Sequence, residues 1–433
     1  MFLHVKFFIN DVKWLMPKIS DSTEYKDIVC PFCSLHCDDL DLNINDNKIF
    51  VKSNINESCK DKFERNNSTS VNTVSPKINS KSESFDIVVK RSKKLISESD
   101  ETLIFNTSAD VNIARELIIS TSKINGIFDH INSETFLKNI DIYQRKGFMS
   151  TSLSEVKNKS DVIVLFSDNI LKNYPRLVER VLAPDNSFSV KANKKKIYII
   201  GNKKNNIKQS FKKDVRIEYI DFNIRDTSML IESLKTKSNN TSIKDNIFNE
   251  LLQRINNSKY LTICWATSEL IKNVNCYNTI SSISEYVVSI NEKSRAACLP
   301  LAGNDGDVSN TQTAGWLTGF PSRIKFTGNY FEYDRDLYHG NNLIESNNID
   351  LVIYVNGISN KKLILNKKNK NIIIGHPSTK HNIQPDVFIP CGIPGIDYKG
   401  LIFRTDNVVT LPLVDIKIPT YRSAQEILRR ILN

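Results

Sequence analysis

DVIVLFS at residues 161–167 sets an uninterrupted apolar run, Val162 to Phe166, between Asp161 and Ser167. A strand with water on one face alternates apolar and polar side chains, so an unbroken run of this kind predicts a parallel strand buried on both faces. The same grammar recurs outward in both directions, in TLIFN at 102–106, KIYIIG at 196–201, VRIEYI at 215–220 and YLTICWA at 260–266. Helical periodicity stands between these runs, near 114–122, 175–182, 228–234 and 268–283, and Phe85, Val88, Val89, Leu95 and Ile96 share a helix face ahead of the first strand. A second series, DLVIYVN, NIIIGH and DVFIPC, follows residue 349. Strands alternating with helices indicate an α/β protein with parallel sheets. Between the two series, residues 295–340 are rich in Gly, Asn and Asp and read as a long loop at strand ends, where such folds place ligands.

The 433 residues, 40% hydrophobic and 25% charged, suffice for two or three domains with cores and exclude a disordered or collagen-like chain. No apolar run approaches the roughly 18 residues of a membrane helix. The first sixteen residues, MFLHVKFFINDVKWLM, are interrupted by Lys6, Asp11 and Lys13 and lack the apolar stretch of a signal peptide, so a cytoplasmic protein is expected. The net charge of +11 comes with Lys194 to Lys196, Lys203/Lys204, Lys212/Lys213, Lys361/Lys362 and Lys367/Lys368. These clusters border apolar runs and read as solvated loop ends. No basic stripe interleaved with aromatics points to nucleic acid.

Four of the eight cysteines crowd the N-terminus with the spacing Cys30-x2-Cys33-x3-Cys37-x21-Cys59, whereas Cys264, Cys276, Cys298 and Cys391 are scattered and read as buried small hydrophobes. Three thiols on one loop with a fourth from a later turn suit a four-iron four-sulfur cluster, and four sulfurs also suit zinc. Both alternatives, and cysteines that hold no metal, stay open on spacing alone, with His36 inside the motif read as a bystander that only zinc would use. LDLNIN and KIFVK around an Asn/Asp turn predict a hairpin beside the cysteines, and residues 66–82 read as a linker.

No GxGxxG, Walker loop, GxSxG or HExxH occurs. VCPFCSLHCDDL with the hairpin and fourth cysteine resembles the B subunit of formylmethanofuran dehydrogenase, whose bacterial counterpart is the beta subunit of the formyltransferase/hydrolase complex. Further segments are similar in the same order: FDHINSETFLKNIDIYQRKGFMSTSLSEVKNKSDVIVLFS from residue 128, RAACLPLAGNDGDVSNTQTAGWLTGFP from residue 295, and CGIPGIDYKGLIFRTDNVVTLPL from residue 391. The resemblance implies a molybdopterin-oxidoreductase-like α/β fold: a small N-terminal domain with the cysteine cluster over 1–75, a discontinuous α/β domain over 76–145 and 295–433, and a Rossmann-like α/β domain over 146–294. It implies Cys30, Cys33, Cys37 and Cys59 as metal ligands of an iron–sulfur cluster or a structural zinc. It also implies formylmethanofuran hydrolase (A), C and formyltransferase subunits as partners, and a methanofuran-like carrier.

A redox-active relative carries a cysteine or selenocysteine on its tungsten or molybdenum pterin, in the segment that here reads Asn132, Ser133, Glu134 and Thr135. No cysteine lies between residues 60 and 263, and hydroxyl or amide groups do not replace a soft thiolate, so a Mo or W pterin is not expected. The expected role is a non-redox subunit in tetrahydromethanopterin-linked oxidation of formyl groups to formate; the alternative is a redox-active dehydrogenase subunit with an unusual ligand. Gly303, Asn304, Asp305 and Gly306 are expected to shape a loop against a partner or to offer backbone donors to a pterin. Asp129 and His130 are a candidate acid/base pair, against the plainer reading of His130 as structural. Arg323, Lys325 and Arg404 are candidate holders of an anionic ligand.

Overall fold

Thr102–Ser108 is buried along its whole length and lies inside a nine-stranded sheet. The spatial order is Tyr330–Tyr333, Ile324–Thr327, Ile127–His130, Thr102–Ser108, Leu351–Asn356, Lys370–Gly375, Val387–Pro390, Lys77–Ile78 and Lys81–Ser82. The strands from Ile127–His130 to Val387–Pro390 are parallel, and antiparallel hairpins close both edges. The computed structural model describes residues 22–70, 73–167, 169–201, 215–271, 275–301, 305–359 and 361–432. Residues 1–16, read above for a signal peptide, and Lys203, Lys204, Lys212, Lys213, Gly303 and Asn304 lie outside the described residues.

A second sheet is wholly parallel, in the order Arg216–Asp221, Lys196–Gly201, Val162–Phe166, Tyr260–Ala266 and Arg295–Leu301. Val162–Phe166 and Tyr260–Ala266 are fully buried, as two covered faces require. The N-terminal sheet Thr23–Ile28, Leu40–Asn45 and Lys48–Val51 is antiparallel, and its hairpin turns at Asp46 and Asn47, both with positive φ.

Each large sheet is sandwiched. Helices Phe85–Ser97, Val111–Lys123 and Ala424–Leu432 put Val88, Leu117 and Leu428 on one face of the nine-stranded sheet, and Gly340–Ser346 puts Leu343 on the other. Helices Thr227–Thr236, Asp245–Asn256 and Cys276–Ile290 cover one face of the five-stranded sheet. Its opposite face joins the core of the N-terminal unit, with Phe32, Leu40 and Phe63 continuous with Ile163, Leu165 and Leu177. Among the described residues no helix is long and apolar enough to cross a membrane.

Three expectations need correction. Arg295–Leu301, assigned from sequence to the discontinuous domain, pairs with Tyr260–Ala266 in the five-stranded sheet. Residues 295–340 are not a long loop, for they include that strand, the helix Asp307–Thr318 and the hairpin Ile324–Thr327/Tyr330–Tyr333. The linker 66–82 ends in a two-residue-stranded hairpin that caps a sheet edge through Val387–Ile78 pairing.

Where Lys370–Gly375 ends, His376 is buried, and its Nδ1 accepts from the Ser378 backbone N at 3.2 Å. Burial, with Arg65 and Lys417 nearby, lowers its pKa to about 3. An unfolded chain protonates this imidazole near its ordinary 6.5, so the folded state loses stability as pH falls from 6.5 toward 3. His376→Gln is expected to flatten the stability–pH slope in that window by about 1.4 kcal/mol per pH unit relative to wild type. Parallel denaturant curves for wild type and variant at pH 7 and pH 4.5 check this.

Candidate functional site

The loop CPFCSLHC closes on itself through Cys30 N donating to Cys37 O at 2.8 Å. Cys33 and His36 take positive φ, which bends the loop tightly enough to turn its thiols to one side. His36 is buried and its Nδ1 lies 3.0 Å from Cys30 O, so the imidazole braces the loop from behind; its pKa is lowered to about 4, chiefly by burial. Asn56 accepts from Ser58 N at 2.9 Å and caps the helix Glu57–Glu64, setting Cys59 in its first turn. The result is one cavity lined by Cys30, Cys33, Cys37 and Cys59 together with Leu40, Ile55 and Arg176.

Burial pushes all four thiols up, Cys33 to about 11, and at Cys30 the three neighbouring cysteines add to the effect. Without a cation between them they are neutral thiols at pH 7. Basic groups surround them. Burial works against the charge on Lys62, yet Cys33, Asp305, Cys30 and Cys59 raise its pKa overall. Arg176 is buried and donates to Asp39 at 2.7 and 2.8 Å, and also to Glu179.

The loop is keyed to both large units. Cys33 N donates to Asp305 Oδ1 at 2.6 Å, and Thr405 N donates to Ser34 O at 2.7 Å. Among the described residues no group of three or more His, Cys, Asp or Glu side chains is disposed to hold one metal ion. Four sulfurs lining one cavity, with Lys62 and Arg176 nearby, form a donor set of the type that soft metals favour.

The second place of interest is the crevice where the nine-stranded sheet reverses its strand order, between Thr102–Ser108 and Leu351–Asn356, the standard ligand position in open parallel sheets. Its rim is polar and buried. Ser108 Oγ donates to Asn356 Oδ1 at 2.8 Å and accepts from the backbone N of Ile358 and Ser359. Asn106 bonds Asn310, and Ser309 Oγ accepts from Phe403 N at 3.0 Å, so the polar side of Asp307–Thr318 is seated in the crevice.

Asn132 donates to Asp307 Oδ2 at 2.8 Å, Thr135 Oγ1 donates to Asn132 O at 2.7 Å, and Ser133 Oγ accepts from Arg323 Nε at 3.2 Å. Glu134 pairs with Arg323 at 2.6 Å and Lys138 at 3.0 Å. These hard oxygen and amide groups are engaged in protein contacts and do not fit a soft tungsten or molybdenum centre. Cys264, Cys276, Cys298 and Cys391 are buried in the sheet cores.

The other sequence candidates have internal partners. Asp129 and His130 are not an acid/base pair: Asp129 accepts from the backbone N of His130 and Gly340, each at 2.8 Å, while His130 Nε2 lies 3.4 Å from Thr311 Oγ1. Arg323, 1% exposed, is committed to Glu134, Ser133 and the Arg335 carbonyl; Lys325 to Glu101; Arg404 to Asp406. None of the three is left free to hold an anion. Of the Gly-rich turn, Asp305 anchors the cysteine loop, and Gly306 (φ +77°) precedes Asp307–Thr318. Sequence reasoning misses Asp39 and Arg176; the acidic pair directly after Cys37, matched by Arg176 and Arg180 four residues apart, is the available signal.

No family model matches the chain. The B subunit of the tungsten-containing formylmethanofuran dehydrogenase 2 of Methanococcus maripaludis is 19% identical over 407 residues, which span 89% of this chain and 92% of that protein. The chain is similar to the B subunit of formylmethanofuran dehydrogenase. The B subunit of the same name from Methanocaldococcus jannaschii is also 19% identical, over 400 residues, 88% of this chain and 92% of that protein. Among solved structures, a chain of the formyltransferase/hydrolase complex from Methylorubrum extorquens, determined with methylofuran, has a TM-score of 0.65 at 16% identity, covering 83% of this chain and 98% of that one. That likeness bears out the α/β fold, and the two dehydrogenase likenesses bear out the resemblance read from the motifs.

Proposed function

We propose that the chain is the B subunit of a formylmethanofuran-linked one-carbon complex and serves as its non-redox scaffold. Formyl groups then pass through a methanofuran-like carrier to formate on the hydrolase (A), C and formyltransferase partners. The similarity to the dehydrogenase B subunits over most of the chain supports the family role. One observation carries the scaffold reading: Asn132 to Thr135 offer no soft ligand, Asn132 being engaged with Asp307, Ser133 and Glu134 with Arg323, Glu134 also with Lys138, and Thr135 with the Asn132 carbonyl. Cys30, Cys33, Cys37 and Cys59 would hold an iron–sulfur cluster, which supplies electron storage where a redox partner exists and otherwise ties the loop. A cytoplasmic location accompanies this reading.

Those four thiols also favour a second reading, a redox-active dehydrogenase subunit. The test is elemental analysis for iron, zinc, molybdenum and tungsten, with acid-labile sulfide, on the complex purified from its host without oxygen. Complex free of molybdenum and tungsten and inactive with formate and a viologen dye is expected. Stoichiometric tungsten or molybdenum with dye reduction would establish the second reading instead.

Assembly has its own check. Trp316, Leu317, Leu401 and Val408 are exposed apolar residues on the helix Asp307–Thr318 and the adjoining antiparallel hairpin Gly400–Phe403/Thr410–Leu413, where Trp316 packs on Phe403. A partner subunit would cover them. Trp316→Asp is expected to reduce recovery of the partner subunits at least tenfold in co-purification while leaving the melting temperature of this chain within about 2 °C; full recovery would exclude this surface.

A further inference from the structure

The cysteine cavity is not enclosed by the N-terminal unit alone. Its ligand-bearing walls come from the first sixty residues, but Arg176 comes from the segment entering the turn Val178–Leu182, which packs with the five-stranded sheet. The guanidinium cannot swing away, because Asp39 takes two of its N–H groups at 2.7 and 2.8 Å and Glu179 takes a third. Its side chain is 8% exposed, whereas those of Asp39 and Glu179 are 32% and 49% exposed. Water therefore screens the carboxylates more than it screens the cation.

Four thiolates around a cationic cluster core leave net negative charge in an apolar pocket, which is unfavourable unless a fixed positive group faces it. Asp39 lies two residues beyond Cys37, so the brace that fixes the cation also ties the ligand loop to the neighbouring unit. We infer that Arg176 is a positioning residue for the sulfur-bound centre: it supplies the counter-charge across the seam, and loading of the centre thereby clamps the N-terminal unit onto the five-stranded-sheet unit. This inference rests on the proposed occupancy of Cys30, Cys33, Cys37 and Cys59. Lysine preserves the charge without the forked geometry, and methionine preserves only bulk.

The test uses the full chain, reconstituted anaerobically with ferrous iron and sulfide, as wild type, Arg176→Met, Arg176→Lys and Asp39→Asn. Cluster half-life against a ferrous chelator is followed by visible absorbance, and backbone exchange over residues 174–183 is compared between loaded and stripped protein. Arg176→Met is expected to shorten the half-life by about 10-fold or more and to abolish the exchange protection gained on loading, while Arg176→Lys restores most of both. Asp39→Asn, which keeps the positive charge and one of the two acceptors, is expected to shorten the half-life far less than Arg176→Met does. Equal loss in Arg176→Met and Asp39→Asn would show a purely structural brace and overturn the counter-charge role, as would wild-type lability in Arg176→Met. Should the wild type take up no cluster, the occupancy reading falls, and the inference falls with it. Stripped variants melting within a few degrees of stripped wild type separate these outcomes from misfolding.

Discussion

Gly306→Ala is expected to lower the melting temperature by about 10 °C or to prevent soluble accumulation. Gly306 sits at φ +77°, where an L side chain costs about 1–2 kcal/mol. An added Cβ would meet Ala109 O at 2.0 Å and the Ala109 carbonyl carbon and nitrogen at 2.8 and 2.9 Å. The obstacle is backbone directly following Thr102–Ser108, so it cannot rotate aside as a flexible side chain would. Relief requires moving the helix Asp307–Thr318 out of the crevice, which breaks its contacts through Ser309 and Asn310. Strain and displacement together come to about 3–5 kcal/mol. Gly315 has nothing within 4 Å of an added Cβ and serves as the control, since Gly315→Ala should be neutral or slightly stabilising. Equal melting temperatures for the two variants would refute the close approach at Gly306.

Replacing Arg323 by methionine is expected to destabilise the protein by about 3–5 kcal/mol at pH 7, the usual consequence of leaving a buried charge without its partner. Asp129 is 1% exposed and lies 3.9 Å from Arg323 Nε. Burial already raises its pKa to about 6, and Arg323 restrains that rise. With the guanidinium gone, the folded carboxyl holds its proton more tightly still. A carboxyl whose folded pKa exceeds its unfolded value costs stability as pH rises above the unfolded value, and that cost disappears on acidification. The gap between wild type and Arg323→Met should therefore narrow from pH 7 to pH 5, and adding Asp129→Asn should restore part of the loss. A gap independent of pH, unrelieved by Asp129→Asn, would move the effect from charge to packing.

The parallel strands are legible in sequence because both of their faces are covered, so no polar residue needs to interrupt the run; Val162–Phe166 and Tyr260–Ala266 are the plainest cases. Asp307–Thr318 is illegible for the opposite reason. Its buried residues include Ser309, Asn310, Thr311 and Thr313, while Trp316 and Leu317 face outward, an inversion of the pattern by which helices are recognised. Cysteine spacing does announce convergence of four thiols, since three share one loop. Arg323, Lys325 and Arg404 look like available cations in sequence and are not. Glu134 and Glu101 lie far from Arg323 and Lys325 in the chain, and only the fold brings them together. For Arg404 the partner, Asp406, is two residues away, and the pair lies in the loop that also accepts Leu153 N.

The nesting of one sheet inside the other has a consequence for synthesis. Every strand of the five-stranded sheet lies within residues 162–301, so that unit is complete while the host sheet still lacks Leu351–Asn356. Thr102–Ser108, buried along its whole length in the finished sheet, waits for this neighbour through about 250 residues of elongation, some 12–50 s at ordinary rates. During that interval its open edge invites pairing with other nascent chains. The folded insert then works as a splint. By bringing its own two ends into one compact body, it shortens the span the host must close and lowers the entropy of the final annealing.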